Sequence, residues 1–304
     1  MNTPSNAVPE PPLDSRPVTP APMSATRPLY WSIRRELWEN RSIYIAPLVV
    51  AGLVLFGFLI ATIGRAVATV DPARKTAVLG ESNSFAAGVI MAIAFIVGVF
   101  YCLDALHGER RDRSILFWKS LPVSDLTTVL SKASIPLVVL PLLTFAIIVV
   151  TQVIMAALST LVLLGSGLSA ATPWTKMSLF QMPLVLFYHL LTVHVLWHAP
   201  IYGWLLLVSA WARRATFLWA VLPLLAIGIV EKIAFNTSHF VAMLGYRLTG
   251  PEAFHFTPGS VPNHPLMTVD PGKFLSTPGL WIGLAFAAAF LAGAVRLRRY
   301  REPI

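Results

Sequence analysis

Charge is what this 304-residue chain has least of. Only 12% of its residues are Asp, Glu, Lys or Arg, where a soluble domain carries about 25%. With 56% hydrophobic residues and a mean hydropathy of +0.70, too little polar surface remains to cover a water-soluble body. Cysteine is nearly missing too. Cys102 alone, inside an apolar run, excludes an intrachain disulfide and any multi-cysteine metal site. A phosphate-cradling G-x-x-x-x-G-K-[S/T] loop is absent, and Gly272-Lys273-Phe274 lacks its spacing, so the chain has no means of hydrolysing ATP alone. The first 28 residues show neither the apolar core nor the cleavage pattern of a signal peptide. They hold eight prolines, and such polar, Pro-rich sequence cannot recover its ordering entropy by burial. Residues 1–27 therefore read as a disordered tail.

Long apolar runs are what the chain does have. About 20 apolar residues suffice for a helix to cross the hydrocarbon core. Six candidates meet that length: Ile43 to Gly64, Phe85 to Leu106, Ile135 to Ser159, Leu179 to Ala210, Phe217 to Phe235, and Leu280 to Leu297. The fourth is long and contains Pro200, which lacks a donor and clashes with the preceding turn, so a kink or break is expected there. These runs predict an all-α polytopic membrane bundle of six transmembrane helices.

The net charge of +9 does not point to nucleic acid, because the basic residues sit in short segments between apolar runs. Six spans put both termini on one side. Of the 23 Lys and Arg, sixteen fall on that side, in the tail and first helix, the second and fourth connections and the end of the chain from Arg296; seven fall on the other. The positive-inside bias makes the first side cytoplasmic.

Two polar segments stand out. Residues 28–41 (PLYWSIRRELWENR) form a short amphipathic helix, with Leu29, Tyr30, Ile33 and Leu37 on one arc, extended by Trp31 and Trp38. Arg35, Glu36 and Glu39 are expected to face away from it. This suits either an interfacial helix or a solvated extension of the first span. Residues 107–134 pack Glu109, Arg110, Arg111, Asp112 and Arg113 together, then an apolar Ile115 to Trp118 patch, then Ser120-Leu121-Pro122. Pro122 should end one short helix, and Ser124 should cap the next, with Asp125 in its first turn. Such a segment could carry force from a soluble partner or simply anchor a loop.

On these segments and the six-span layout, the chain resembles the permease subunits of ABC-2 type ATP-driven transporters. The resemblance covers residues 27–304, and its sharp part is residues 107–134. It implies that 28–41 is the connector helix and that 107–134 holds the coupling region, which seats on a separate ATP-binding subunit. Glu109, Arg110 and Arg113 would be its charged head, Trp118 part of its apolar patch, and Ser120, Leu121 and Pro122 its turn, with Asp125 opening the next helix. ATP and Mg would be bound by that partner and no cofactor by this chain. A second copy or a related permease would complete the pathway for an unidentified substrate, in a bacterial inner membrane and in the export direction.

Candidate residues also lie inside the runs. His194 and His198 share a face, while His189 falls about 140° from His194 on α-helical spacing. Structural hydrogen bonding, pathway lining, and metal or proton chemistry are all open to them, but two imidazoles are too few for a zinc site. Thr144 and Thr151 could bond across helices, and Gln152 could do so or line a polar route. Asp104 sits where Arg110 or Arg111 could neutralise it. Ala285, Ala289 and Gly293 read as a small-residue packing face. The 236–279 connection is long enough for short surface helices or a re-entrant segment. Two other classes fit less well: a membrane enzyme using the intramembrane histidines, and a transporter that works without ATP.

Overall fold

The computed structural model describes residues 26–67, 72–120, 123–165, 181–250 and 271–301. The expected tail therefore lies outside the described residues, except for Thr26 and Arg27. So do Leu121 and Pro122.

Every regular element described is helical. In chain order these are α1 (Thr26–Glu39), α2 (Ser42–Val67), α3 (Pro72–Ala105), α4 (His107–Arg111), α5 (Ser114–Ser120), α6 (Asp125–Ser134), α7 (Leu140–Gly165), α8 (Gln181–His189), α9 (Ala199–Trp211), α10 (Thr216–Phe235), α11 (His239–Thr249), α12 (Pro271–Leu275) and α13 (Pro278–Tyr300). Wide π-helical turns join α6 to α7 (Ile135–Val139) and α8 to α9 (Leu190–Trp197). The chain is a multi-pass membrane protein. Five helices are long and apolar enough to cross a bilayer, and the bent pair Pro183–Trp197 and Ala199–Trp211 makes a sixth if it counts as one span. Leucines, isoleucines and phenylalanines stand exposed along α2 and α10, and only 11% of the α10 window is buried within the protein. In a bilayer these surfaces cost nothing, because lipid replaces water as their solvent.

The third and fourth spans depart from simple helices for the reason the sequence offers. Pro136 and Pro141 remove backbone donors, and the Ile135–Val139 π turn takes up the mismatch without a break, so α6, the turn and α7 run on as one element. The fourth span bends by 43° at His198, two residues before Pro200. There the His198 N–H reaches back five residues to the Val193 carbonyl at 3.0 Å.

α9 and α13 form the most extensive pair in the bundle, with α2 packed on α3 and α7, and α3 on α9. Small residues allow the α9–α13 approach: Gly203 lies where an added Cβ would stand 3.2 Å from the Ala287 carbonyl oxygen and 3.3 Å from its Cα. The face of α13 that packs inward carries Gly283, Ala287 and Ala294. This corrects the expected stripe, since Ala285 and Ala289 are exposed and only Gly293 meets α9, at Leu207. The error is one of phase, because α13 is small-residue-rich all round. Thr144 and Thr151 also differ from expectation. Their hydroxyls donate to the Leu140 and Ile147 carbonyls of their own helix, each at 2.7 Å, and not across helices.

Replacing Gly203 by Leu should push α9 from α13 and destabilise the bundle by about 2 kcal/mol, the usual scale of overpacking. Thermal unfolding in detergent checks this, with Gly52→Leu, where a Cβ meets nothing within 4 Å, as the neutral comparison.

Candidate functional site

At one end of the bundle, four elements converge on buried charge. α1 lays Ile33 and Leu37 against the core and so turns Glu36 inward between them. The Glu36 carboxylate accepts from the Tyr101 hydroxyl and from Lys132 Nζ, both at 2.8 Å. Lys132 Nζ also lies 3.1 Å from Glu109. The other Glu109 oxygen takes the Arg298 guanidinium at 2.5 Å, and Arg35 approaches Glu109 at 3.4 Å. Arg298 Nε is 3.1 Å from Asp125, an ion pair placed off-axis for a hydrogen bond. Three carboxylates thus face three cations, and the Glu36, Glu109, Lys132 and Arg298 side chains are only 3–5% exposed. α1, α4, α6 and the last turns of α13 each contribute. Burial opposes the Arg35 charge, yet Glu39, Glu36 and Glu109 outweigh it and hold the guanidinium above its ordinary pKa.

Glu36 corrects the expectation that it faces away from the apolar arc, and Arg35, expected to do the same, turns half-buried toward Glu109. The amphipathic arc places Ile33 and Leu37 correctly, but the residue between them follows them inward because a cation waits there. Tyr30, Trp31 and Trp38 stay exposed, with Arg34 5.2 and 5.1 Å from the two indole centroids.

The proposed coupling residues divide into inward and outward groups. Arg110 is buried and donates to the Ala210 and Ala212 carbonyls at 2.8 and 3.2 Å, answering the open C-terminus of α9. Arg301 donates to Trp211 of the same turn. Ser209 accepts the Leu106 and His107 amides where α3 gives way to α4. Asp104 is exposed with Arg111 3.7 Å away. Arg113 is exposed and holds φ at 58°, making the sharp turn from α4 to α5. Trp118 lies under the Arg35 guanidinium, 3.3 Å from ring centroid to Cζ, and so ties α5 to α1. Ser120 is exposed and donates to the Phe117 carbonyl. Ser124 caps α6 as expected, accepting the Thr127 amide at 3.1 Å. Leu116 and Phe117 are each 59% exposed on the outer surface of α5.

The histidines lie toward the middle of the bundle and form a row. The ring centroids of His189 and His194 are 6.4 Å apart, and those of His194 and His198 are 5.4 Å apart. The 140° separation expected for His189 fails because the π turn between them brings residue i+5 beneath residue i. Gln152 is buried on α7, which packs against this turn. Among the described residues no group of three His, Cys, Asp or Glu is arranged to hold a metal ion.

Sequence reasoning missed Glu36, Tyr101, Lys132 and Arg298 as a unit. One local signal exists: Asp125 and Lys132, seven apart, share a face of α6, and a face charged at both ends beside an apolar run needs partners. Comparison of the chain with known protein families, curated proteins and solved structures finds no match in any of the three.

Lys132→Met should strand Glu36 as a buried anion and take from Glu109 one of its three cations, and breaking a buried pair in this way costs about 3–5 kcal/mol. Adding Glu36→Gln should recover part of that loss. The check is a double-mutant cycle on thermal unfolding in detergent; additive losses would deny the coupling.

Proposed function

We propose that this chain is the membrane-spanning permease subunit of an ATP-driven ABC transporter of the exporter type, coupled to a separate ATP-binding subunit. One observation carries the reading. An exposed apolar knob, Leu116 and Phe117 on α5, stands beside the buried charge network. Beneath it Glu109 is held by Lys132 of α6, Arg298 of α13 and Arg35 of α1, and Trp118 is held by Arg35. Force applied to the knob would meet these contacts first. It passes into α1, into the continuous α6–α7 element and into the end of α13.

The ATP-binding subunit supplies ATP and Mg. Closure of two such subunits moves the knobs of two permeases, either two copies of this chain or this chain and a relative, and tilts their spans. The basic residues of the second connection and both chain ends favour a cytoplasmic location for the network end, in a bacterial inner membrane. In that frame α1 lies in the interface plane, with Trp31 and Trp38 at headgroup depth. Glu109, Asp125 and Trp118 transmit, and Arg110 and Arg113 shape the segment. The seat on the partner falls to the knob and to Ser120, Leu121 and Pro122. Gln152, His189, His194 and His198 line the pathway.

The test replaces Leu116 and Phe117 together by Asp. Loss of an apolar anchor costs about 2 kcal/mol of association, or roughly thirtyfold in affinity. Copurification of an ATPase with the native chain should fall accordingly, and so should substrate-stimulated turnover, while membrane insertion is unchanged. Full retention of both would refute the assignment. Arg113→Gly, which relieves the positive φ, should leave both intact.

A further inference from the structure

The sides of α1 meet different surroundings. Ile33 and Leu37 pack on the core, with Glu36 buried beside them. Arg35, joined to Glu39 at 2.7 Å, lies over Trp118 of α5. A third side carries Tyr30, Trp31, Arg34 and Trp38, which fall within one arc of about 100° on a helix. All four are exposed, and the three aromatics stand 60%, 58% and 69% open. Three large rings on a single arc make an apolar patch of the kind that marks an interaction surface.

The position of α1 names what covers that patch. Only Asn40 and Arg41 separate α1 from α2, whose span begins at Ser42. Glu36 meets Tyr101 and Lys132, which belong to the spans Phe85–Arg111 and Asp125–Leu161. The helix is thus held against the ends of three spans and does not project into water. Ile45, Leu48 and Val49, in the turns that follow, are exposed as lipid-facing residues are. At this boundary headgroups meet water, and indole rings are favoured there.

Arg34 then selects among lipids. Its guanidinium carbon lies 5.2 Å from the Trp31 ring centroid and 5.1 Å from that of Trp38. Contact with ring faces takes none of its five N–H donors. Both acids of α1 are already taken, Glu36 by Lys132 and Glu39 by Arg35, and among the described residues no carboxylate pairs with Arg34. A guanidinium fork with free donors matches a phosphate bidentately. In a zwitterionic headgroup an ammonium competes for that phosphate and repels Arg34; an anionic headgroup has no such rival.

We propose that the Tyr30, Trp31, Arg34 and Trp38 side of α1 seats an anionic phospholipid, with its phosphate on Arg34 and its glycerol region against the two indoles. This rests on the interfacial placement of α1 given above and not on coupling to ATP.

The test puts a reporter on the same side. Cys102 is buried, so Tyr30→Cys in the full chain takes a nitrobenzoxadiazole label at the introduced thiol. The labelled chain is reconstituted into phosphatidylcholine vesicles without nucleotide or ATPase. Phosphatidylglycerol and phosphatidylcholine, each bearing a nitroxide near the top of one acyl chain, are titrated in as quenchers. Phosphatidylglycerol should associate more strongly, and Arg34→Gln should reduce its preference about fivefold, the scale of one arginine at an anionic lipid surface. Arg214→Gln, which removes an exposed arginine elsewhere, should leave the preference as it was. Equal association of the two lipids, as for a side covered by an acidic protein segment, would overturn the proposal. So would a preference that survives Arg34→Gln, or one that Arg214→Gln lowers equally, since the charge of the whole surface would then account for it. Quenching by neither lipid would overturn the interfacial placement of α1 as well. None of these results bears on coupling, because Leu116 and Phe117 are untouched.

Discussion

A carboxylate that cannot stand alone organises this molecule. Glu109 lies in an apolar setting where an unpaired charge is prohibitive, and its two oxygens are shared among Lys132, Arg298 and Arg35. Those cations come from three elements far apart in sequence, so none can leave without stranding a buried charge. The ion pairs do little for net stability compared with a well-packed apolar substitute. What they do is fix register: α1, α4, α6 and the end of α13 hold one relative arrangement. The open carbonyls of α9, answered by Arg110 and Arg301, join the fourth span to the same unit.

The rest of the bundle is less regular by contrast. Both π turns lie in its interior, against each other and, for Ile135–Val139, against α3. The first contains Pro136 and the second ends three residues before Pro200, and each leaves a helix whose hydrogen bonding is already irregular. A rigid charged end joined to irregular spans is an arrangement in which displacement at α5 can become tilt further along. The histidine row sits where that tilt would be felt.

Much of the fold was legible in the sequence because bilayer solvation demands long apolar runs and nothing subtler. The run from Phe217 to Phe235 became Thr216–Phe235, and Pro200 marked the bend at His198. The Ser124 cap was legible because capping is local. What could not be read is whatever depends on contacts distant in sequence. Glu36 reads as a solvent-facing charge by residue type until Lys132, 96 residues away, supplies the reason to bury it. His189 looks turned from His194 until a π turn changes the angular step.

The central claim is that Glu109 binds α1, α6 and the end of α13 into one mechanical unit. Hydrogen–deuterium exchange of the chain in lipid nanodiscs, native against Glu109→Gln, tests it most directly. The account predicts that amides in α1, in α6 and in the last turns of α13 lose protection together. Loss confined to residues 107–113, with the other three elements unchanged, would contradict it.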